Sequence, residues 1–302
     1  MHRLYLRALL TLTLSCTPAV GLAAPYDFAP IDVPGAASTF AHAINDNGQV
    51  VGGFVADEFD GRTQGFLLVK GKFITLDAPT ADSTMALGIN NKGHIVGTFT
   101  ANEQLGFLIK KKGKKKVFTT IDVDVADAGV ICMTQADAIN NRGHIVGQYL
   151  DHCDTGNGQH GFLYDGREFT VIDVPAANIS AITGVNDLGA VVGYYEEAST
   201  SSVLGFVRNK DGVFTAIDGA FPLAINNAGQ MVGYYIDGGT TRGFISTVLT
   251  ADDFSPIDFP GAIMTMATGI NKSGQVVGWY YDDTGAHGFI AKPIVQKKKK
   301  KR

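Results

Sequence analysis

The segment Gly269–Phe289, which reads GINKSGQVVGWYYDDTGAHGF, decides the fold, because its pattern occurs six times along the chain. Its anchor is an apolar residue followed by Asn-x-x-Gly-x-x-Val-Gly. The anchor asparagines are Asn45, Asn90, Asn140, Asn186, Asn226 and Asn271. Six copies at intervals of 40 to 50 residues are typical of a repeat protein built from one supersecondary unit.

Two further markers recur with the same period. The first is the phenylalanine of a Gly-Phe pair, at Phe66, Phe107, Phe162, Phe206, Phe244 and Phe289. The second is an aspartate after an apolar residue, at Asp32, Asp77, Asp122, Asp173, Asp218 and Asp258. Between the markers, short runs rich in β-branched and aromatic residues alternate with Gly, Asn and Asp. This pattern predicts four strands per unit, here called a, b, c and d in chain order.

The Asn-x-x-Gly segment predicts a tight hairpin between strands a and b. An asparagine side chain can accept bonds from the backbone that follows it, and glycine adopts the left-handed conformation such turns need. We therefore interpret the six asparagines as structural residues.

The order of the markers predicts the topology. The chain's first marker belongs to a d strand, Phe28 to Asp32, whereas the last unit ends after strand c at Ile290. One unit is thus divided between the two ends of the chain, which a closed ring of sheets requires. We predict an all-β, six-bladed β-propeller whose N-terminal strand completes the last blade.

These motifs resemble the bacterial HAF-type extracellular repeat family. The resemblance rests on Gly269-Ile270-Asn271, on Gln275 to Tyr280, on His287-Gly288-Phe289 and on Ile257 to Ala262, and it extends from Phe28 to Ile290. It implies a secreted repeat protein with no settled activity. The histidine of the family's His-Gly-Phe motif is present only at His160 and His287.

The N-terminus has the features of a secretory signal peptide. Two arginines lie within Met1 to Arg7, an apolar run extends from Ala8 to about Val20, and small residues follow. We predict cleavage near Ala24, a single domain over residues 25–292 and a basic disordered tail over residues 293–302. The expected location is extracellular or periplasmic, and no transmembrane segment is expected.

The predicted strand directions separate the charges. The chain has 29 acidic and 25 basic residues. Acidic residues concentrate in the b–c loops, which lie on the same face as the d–a connections, whereas many lysines and arginines fall in the opposite turns. The candidate binding residues, on this b–c face, are Asp57, Asp60, Glu103, Asp151, Asp154, Glu196, Glu197, Asp237, Asp282 and Asp283. The acids of this face either keep the loops solvated or attract a cation, a basic partner or a polyhydroxy ligand.

The chain after the signal segment contains two cysteines, Cys132 and Cys153, both in the third unit. They are nearly equidistant from the predicted a–b turn at Arg142, so we expect them to face each other across the hairpin. An oxidising compartment would permit a disulfide.

Known catalytic motifs are not found: the sequence has no Gly-x-Ser-x-Gly, His-Glu-x-x-His or P-loop motif. We predict no catalytic residue, no metal ligand and no cofactor: the carboxylates would suit Ca²⁺, but no Asp-x-Asp-x-Asp-Gly loop is present. The leading hypothesis is a monomeric, non-enzymatic module that binds a protein, a glycan or a cell-surface polymer, not nucleic acid. The alternative is a carbohydrate-active hydrolase or lyase that uses carboxylates at the channel mouth.

Overall fold

The computed structural model describes residues 26–57, 61–112, 115–125, 131–151, 158–246 and 254–294. Within these ranges the chain forms 24 β-strands and no helix, which confirms the predicted all-β class. Consequently, the described part contains no helix that could cross a bilayer. The predicted signal peptide and the lysine-rich end of the tail lie outside the described residues.

The strands form six four-stranded antiparallel units, each in the predicted order a, b, c and d. Units 1 to 3 are β2(Ser38–Ile44) β3(Val50–Val55) β4(Thr63–Val69) β5(Lys72–Leu76); β6(Ser83–Ile89) β7(Ile95–Thr100) β8(Gln104–Lys112) β9(Lys115–Ile121); and β10(Met133–Ile139) β11(Ile145–Asp151) β12(Gly158–Tyr164) β13(Phe169–Val171). Units 4 and 5 are β14(Ala177–Val185) β15(Val191–Glu197) β16(Val203–Arg208) β17(Phe214–Ile217); and β18(Ala220–Ile225) β19(Met231–Asp237) β20(Thr240–Ser246) β21(Ser255–Pro256). A single parallel pairing between Met133 and Gln104 joins units 2 and 3 into one eight-stranded sheet.

The sixth unit combines both ends of the chain. It contains β22(Met264–Ile270), β23(Val276–Asp282) and β24(Gly285–Pro293), and its outer strand is β1(Tyr26–Ile31). Strand β1 pairs with β24 from Tyr26 opposite Pro293 to Ile31 opposite Gly288. The N-terminal strand therefore supplies the d strand that the last unit lacks in sequence.

The a–b turns have the predicted geometry. In the first unit, the Asn45 carbonyl accepts from the Gly48 N–H, and the Asn45 side-chain oxygen accepts from the N–H groups of Asn47 and Gln49, all at 3.0 Å. The glycine three residues after each anchor asparagine has a positive φ, between 72° and 96°. The interpretation of the asparagines as structural residues is confirmed.

The amide nitrogens of the same asparagines link the units, a contact that the motif did not reveal. Asn45 Nδ2 donates to the carbonyl of Asn90 in the next unit at 3.0 Å, and each asparagine repeats this contact. Asn271 of the sixth unit donates to the carbonyl of Asn45 at 3.3 Å. All six asparagines are buried, so each satisfies polar groups that water cannot reach.

A second set of bonds surrounds this asparagine ring. The residues after the anchors are Asp46, Asn91, Asn141, Asp187, Asn227 and Lys272. At five of the six junctions, the backbone N–H of this residue donates to the side-chain oxygen of its counterpart in the next unit, at 2.7 to 2.9 Å. The junction from Asn227 to Lys272 differs, because a lysine side chain has no acceptor.

The core lies between neighbouring units. The six Gly-Phe phenylalanines are fully buried, and each lies directly opposite the glycine that ends the anchor motif on the neighbouring strand. A Cβ at Gly52, for example, would collide with the carbonyl oxygen of Phe40 and with the Phe66 ring. The buried residues form six clusters, one per junction, and one of them unites Val277 of unit 6 with Ile44 and Phe66 of unit 1.

Asn140→Ala tests the contribution of the asparagine ring. The substitution leaves the N–H groups of Arg142, Gly143 and His144 without their shared acceptor and removes the bond to Asn186. We expect the free energy of unfolding to fall by about 3 kcal/mol in chemical denaturation. Asn178→Ala is the control, because that side chain makes one exposed bond to Glu196; equal losses for both variants would contradict the role given to the ring.

Lys272→Asn supplies the acceptor that the sixth junction lacks. We expect the Asn227 N–H to gain a partner and the free energy of unfolding to rise by about 1 kcal/mol. The exposed contact between Lys272 and Asp46, 3.8 Å long, is lost at little cost. Lys272→Ala is the control, because it removes the charge without adding an acceptor. Thermal denaturation of both variants measures the effect of the new bond to the Asn227 N–H. A Tm of Lys272→Asn no higher than that of Lys272→Ala would show that the bond does not form.

Candidate functional site

The described acids of the predicted site lie at the b–c ends of their units and are distributed over all six units. Asp57, Glu103 and Asp283 are exposed in the connections, whereas Asp151, Glu196, Glu197, Asp237 and Asp282 end b strands. Asp60 and Asp154 lie outside the described residues. Within the described part, no three His, Cys, Asp or Glu side chains form a group that could hold a metal ion.

Several of these acids belong to a repeated clamp. In unit 5, the Arg242 guanidinium contacts Asp237 of the b–c loop at 3.2 Å and the repeat aspartate Asp258 at 3.0 Å. In unit 3, His160 takes the same place between Asp173, at 2.7 Å, and Asp151, at 3.6 Å. The residue before Gly-Phe therefore ties strand d to the b–c loop.

The sixth unit has the same clamp with one addition. His287 lies 3.2 Å from Asp32 on the N-terminal segment and 3.4 Å from Asp282. Thr284 donates to Asp282 through its hydroxyl and its N–H, and these bonds lower the pKa of the Asp282 carboxyl. The clamp acids thus have local structural partners, and the sequence alone did not separate them from the other acids of the b–c face.

A groove on the b–c face, here called the threonine–glutamine groove, lies where units 1, 2 and 3 meet. Its volume is about 260 Å³. Its lining residues are Thr63, Ser83, Thr84, Met85, Thr98, Phe99, Thr100, Gln104 and Gln135. None of these side chains carries a charge, so the groove differs from the acidic loops around it.

Glutamine side chains connect this groove to the axis of the molecule. Gln104 Nε2 donates to Gln135 Oε1 across the junction of units 2 and 3, at 3.2 Å. Gln135 Nε2 donates to Asp137 Oδ1 at 2.7 Å. Directly opposite Gln135 on the neighbouring strand is Gln148, whose side-chain oxygen accepts from Gln159 at 2.5 Å.

Asp137 is one of six residues at which the innermost strands bulge. The register of every a strand shifts three residues before its anchor asparagine, at His42, Leu87, Asp137, Thr183, Leu223 and Thr268. A bulge re-aims the side chain of its extra residue. Five of these residues, all except His42, line an axial cavity of about 90 Å³.

The axial cavity is separated from the asparagine ring by apolar side chains. The residues that precede the anchors line both this cavity and a second one of about 80 Å³ at the asparagine ring: they are Ile44, Ile89, Ile139, Val185, Ile225 and Ile270. These side chains form an apolar constriction along the axis, so polar ligands are disfavoured from passing between the two cavities.

Two ionisable bulge residues have strongly shifted pKa values. Burial raises the pKa of the Asp137 carboxyl to about 7, against the opposing effect of the bond from Gln135. Burial lowers the pKa of the His42 imidazole to about 4. Asp137 Oδ2 and His42 Nε2 are both buried, and neither has a hydrogen-bond partner among the residues that the structure describes. The Asp137 carboxyl is therefore neutral in the acidic range below about pH 7, and the His42 imidazole is neutral above about pH 4.

The predicted disulfide lies partly outside the described residues, because Cys153 is not among them. The Cys132 N–H donates to the Leu150 carbonyl at 2.8 Å, and Met133 is opposite Leu150. By this register Cys132 lies across from Asp151, two residues before Cys153. The disulfide between Cys132 and Cys153 stays a prediction.

Comparisons with known proteins give a likeness of fold only. No protein-family model and no curated protein sequence matches the chain. A protein of unknown function from Dyadobacter fermentans is 11 % identical, with a TM-score of 0.55 and 88 % of this chain and 98 % of that chain covered. Trypanosoma rangeli sialidase with the inhibitor DANA is 9 % identical, with a TM-score of 0.50 over 87 % of this chain and 57 % of that one.

A further similar structure is the β-propeller domain of the Trilobed protease from Pyrococcus furiosus, described as having an open velcro topology. It is 10 % identical, with a TM-score of 0.47 over 85 % of this chain and 94 % of that chain. The two likenesses with TM-scores of 0.55 and 0.50 concern the fold alone, and they carry no activity over to this chain.

Asp137→Asn tests the environment of the buried carboxyl. Because the folded pKa of about 7 lies above the ordinary value of 3.8, this group favours the folded state fully below pH 4. Its contribution is lost as pH rises toward 7, a change of about 4 kcal/mol. Urea denaturation should show Asp137→Asn gaining stability over the natural chain between pH 4 and pH 8. A difference that stays constant with pH, or one equalled by the exposed control Asp283→Asn, would contradict the assignment.

Proposed function

We propose that the chain is a closed six-bladed β-propeller that acts as a secreted, non-enzymatic binding module through its b–c face. The closed ring is supported by the pairing of β1 with β24 and by the bond from Asn271 to Asn45. Secretion is supported by the N-terminal sequence pattern and by the resemblance to HAF-type repeats.

The observation that carries the binding role is the difference between the two kinds of surface on the b–c face. Acids such as Asp237 and Asp282 have local partners in the clamps, whereas the threonine–glutamine groove presents uncharged polar groups. The opposite face carries the asparagine ring and its constriction, which are occupied in holding the units together. Binding therefore belongs to the b–c face.

The alternative, a hydrolase or lyase, draws on the raised pKa of Asp137. Carboxylate-based glycoside hydrolysis ordinarily needs two carboxyl groups that flank the same bond. Asp137 is the only acid among the described residues that line the axial cavity. Its hydrogen bond with Gln135 favours a role in orienting that glutamine side chain. The non-enzymatic role is therefore preferred.

Steric blocking of one face tests this proposal. Ser199→Cys places a thiol in the exposed b–c loop of unit 4, and Asp211→Cys places one in the exposed c–d turn of the same unit. Each variant, with its natural cysteines oxidised, is coupled to a polyethylene glycol maleimide and applied to an array of surface polysaccharides, with Ca²⁺ and with chelator.

We expect the natural chain to bind at least one polysaccharide, the Ser199→Cys conjugate to lose at least 90 % of that binding, and the Asp211→Cys conjugate to keep it. Loss on the Asp211→Cys conjugate instead would overturn the choice of face. No binding by the natural chain to any member of the array would overturn the binding role toward such polymers.

A further inference from the structure

The threonine–glutamine groove has the chemistry of a site for a neutral hydroxylated ring. Its rim offers hydroxyl and amide groups, and Met85 and Phe99 add apolar surface. A charged ligand would lose hydration without meeting an opposite charge, and a purely apolar ligand would leave the polar rim without partners. A sugar ring carries hydroxyl groups at its edge and C–H groups on its faces, and it matches both parts.

Part of the rim is already fixed in place by the fold. The Ser83 hydroxyl accepts from the Thr63 N–H at 3.3 Å, the Thr84 hydroxyl accepts from the Ala78 N–H at 3.0 Å, and the Thr98 hydroxyl donates to the Leu105 carbonyl at 3.2 Å. These bonds hold the walls of the groove in a defined shape. Pre-formed walls reduce the entropy lost when a ligand binds.

The remaining polar groups of the groove, on Thr100 and Gln104, are not engaged in hydrogen bonds of this kind. Among the described residues, no side chain bonds to the Thr100 hydroxyl or to the side-chain oxygen Oε1 of Gln104, although the side-chain nitrogen Nε2 of Gln104 donates to Gln135. Asp137 in turn holds Gln135. A chain of three bonded side chains therefore orients one amide toward the groove, as precise recognition of a hydroxyl group requires.

Gln135 is a departure from the repeat, which separates it from residues that the fold needs. The positions equivalent to Gln135 are Phe40, Met85, Ala181, Phe221 and Met266. An amide is thus not required there for the unit to fold. The amide of Gln135 is present in the third unit alone and lies beside Gln104. This placement favours a role at this one junction.

We propose that the threonine–glutamine groove binds one neutral sugar ring of a polysaccharide, with Gln104 and Thr100 as hydrogen-bonding residues and Met85 as the apolar contact. This proposal rests on the b–c face being the binding face, and it names the ligand class. The volume of about 260 Å³ lies just under the roughly 300 Å³ at which drug-sized pockets begin, so the groove takes a single ring and not a long segment.

The test uses isothermal titration of the full mature chain with neutral and acidic oligosaccharides. The neutral probes are cellotetraose, maltotetraose, laminaritetraose, mannotetraose and tetra-N-acetylchitotetraose; the acidic probe is tetragalacturonate. We expect one neutral probe to bind, Gln104→Ala to weaken its Kd at least tenfold, and Thr100→Val, which keeps the shape but removes the hydroxyl, to weaken it at least threefold.

Gln64→Ala is the matched control, because Gln64 lies at the start of a c strand on the same face and bonds to Asp77 outside the groove. Its Kd should equal that of the natural chain, and all variants should keep the natural Tm. An unchanged Kd for Gln104→Ala and Thr100→Val would overturn the groove as the site. Binding of tetragalacturonate alone would contradict a neutral sugar as the ligand. The Ser199→Cys conjugate tests separately whether the b–c face is the binding face.

Discussion

The interaction on which the structure depends is the bond from each buried anchor asparagine to the next unit. One side chain performs two tasks: its oxygen closes the a–b hairpin of its own unit, and its nitrogen satisfies a carbonyl of the neighbour. An alanine could do neither, and an aspartate could close the turn but could not donate. The same residue thereby fixes local geometry and the spacing of the sheets around the axis.

This double role explains which parts of the structure the sequence predicts well. Turn geometry depends on residues three or four apart, so Asn-x-x-Gly locates the hairpins and Gly-Phe locates strand c. The contact between Asn271 and Asn45 joins residues 226 apart, and no local pattern encodes it. The divided unit did reveal the pairing of β1 with β24, because an incomplete unit at one end and a spare strand at the other are visible in the order of the motifs.

The candidate site was less predictable for a related reason. The acids stood out because charge is easily recognised, yet the contacts of Asp151 with His160 and of Asp237 with Arg242 show that some of them serve the fold. The groove is built from threonine and glutamine, which are common in strands and loops and carry no motif. Its formation depends on which side chains from three units meet, and the bulge at Asp137 changes that register in a way that alternation of polar and apolar residues does not reveal.

A repeat offers its own way to separate function from architecture. Where all six units share a residue, as at the anchor asparagine or the Gly-Phe phenylalanine, the fold is sufficient reason for it. Where one unit departs from the others at an uncharged, partly buried position, as at Gln135, the fold gives no reason for the polar side chain. Asp137 strengthens this argument, since a buried carboxyl with a raised pKa is costly, and one of its two oxygens is engaged in holding that glutamine. The third unit therefore loses stability by burying the Asp137 carboxyl at the place where the Gln135 amide must be oriented. A loss of stability that serves the orientation of a polar group is expected of a binding site.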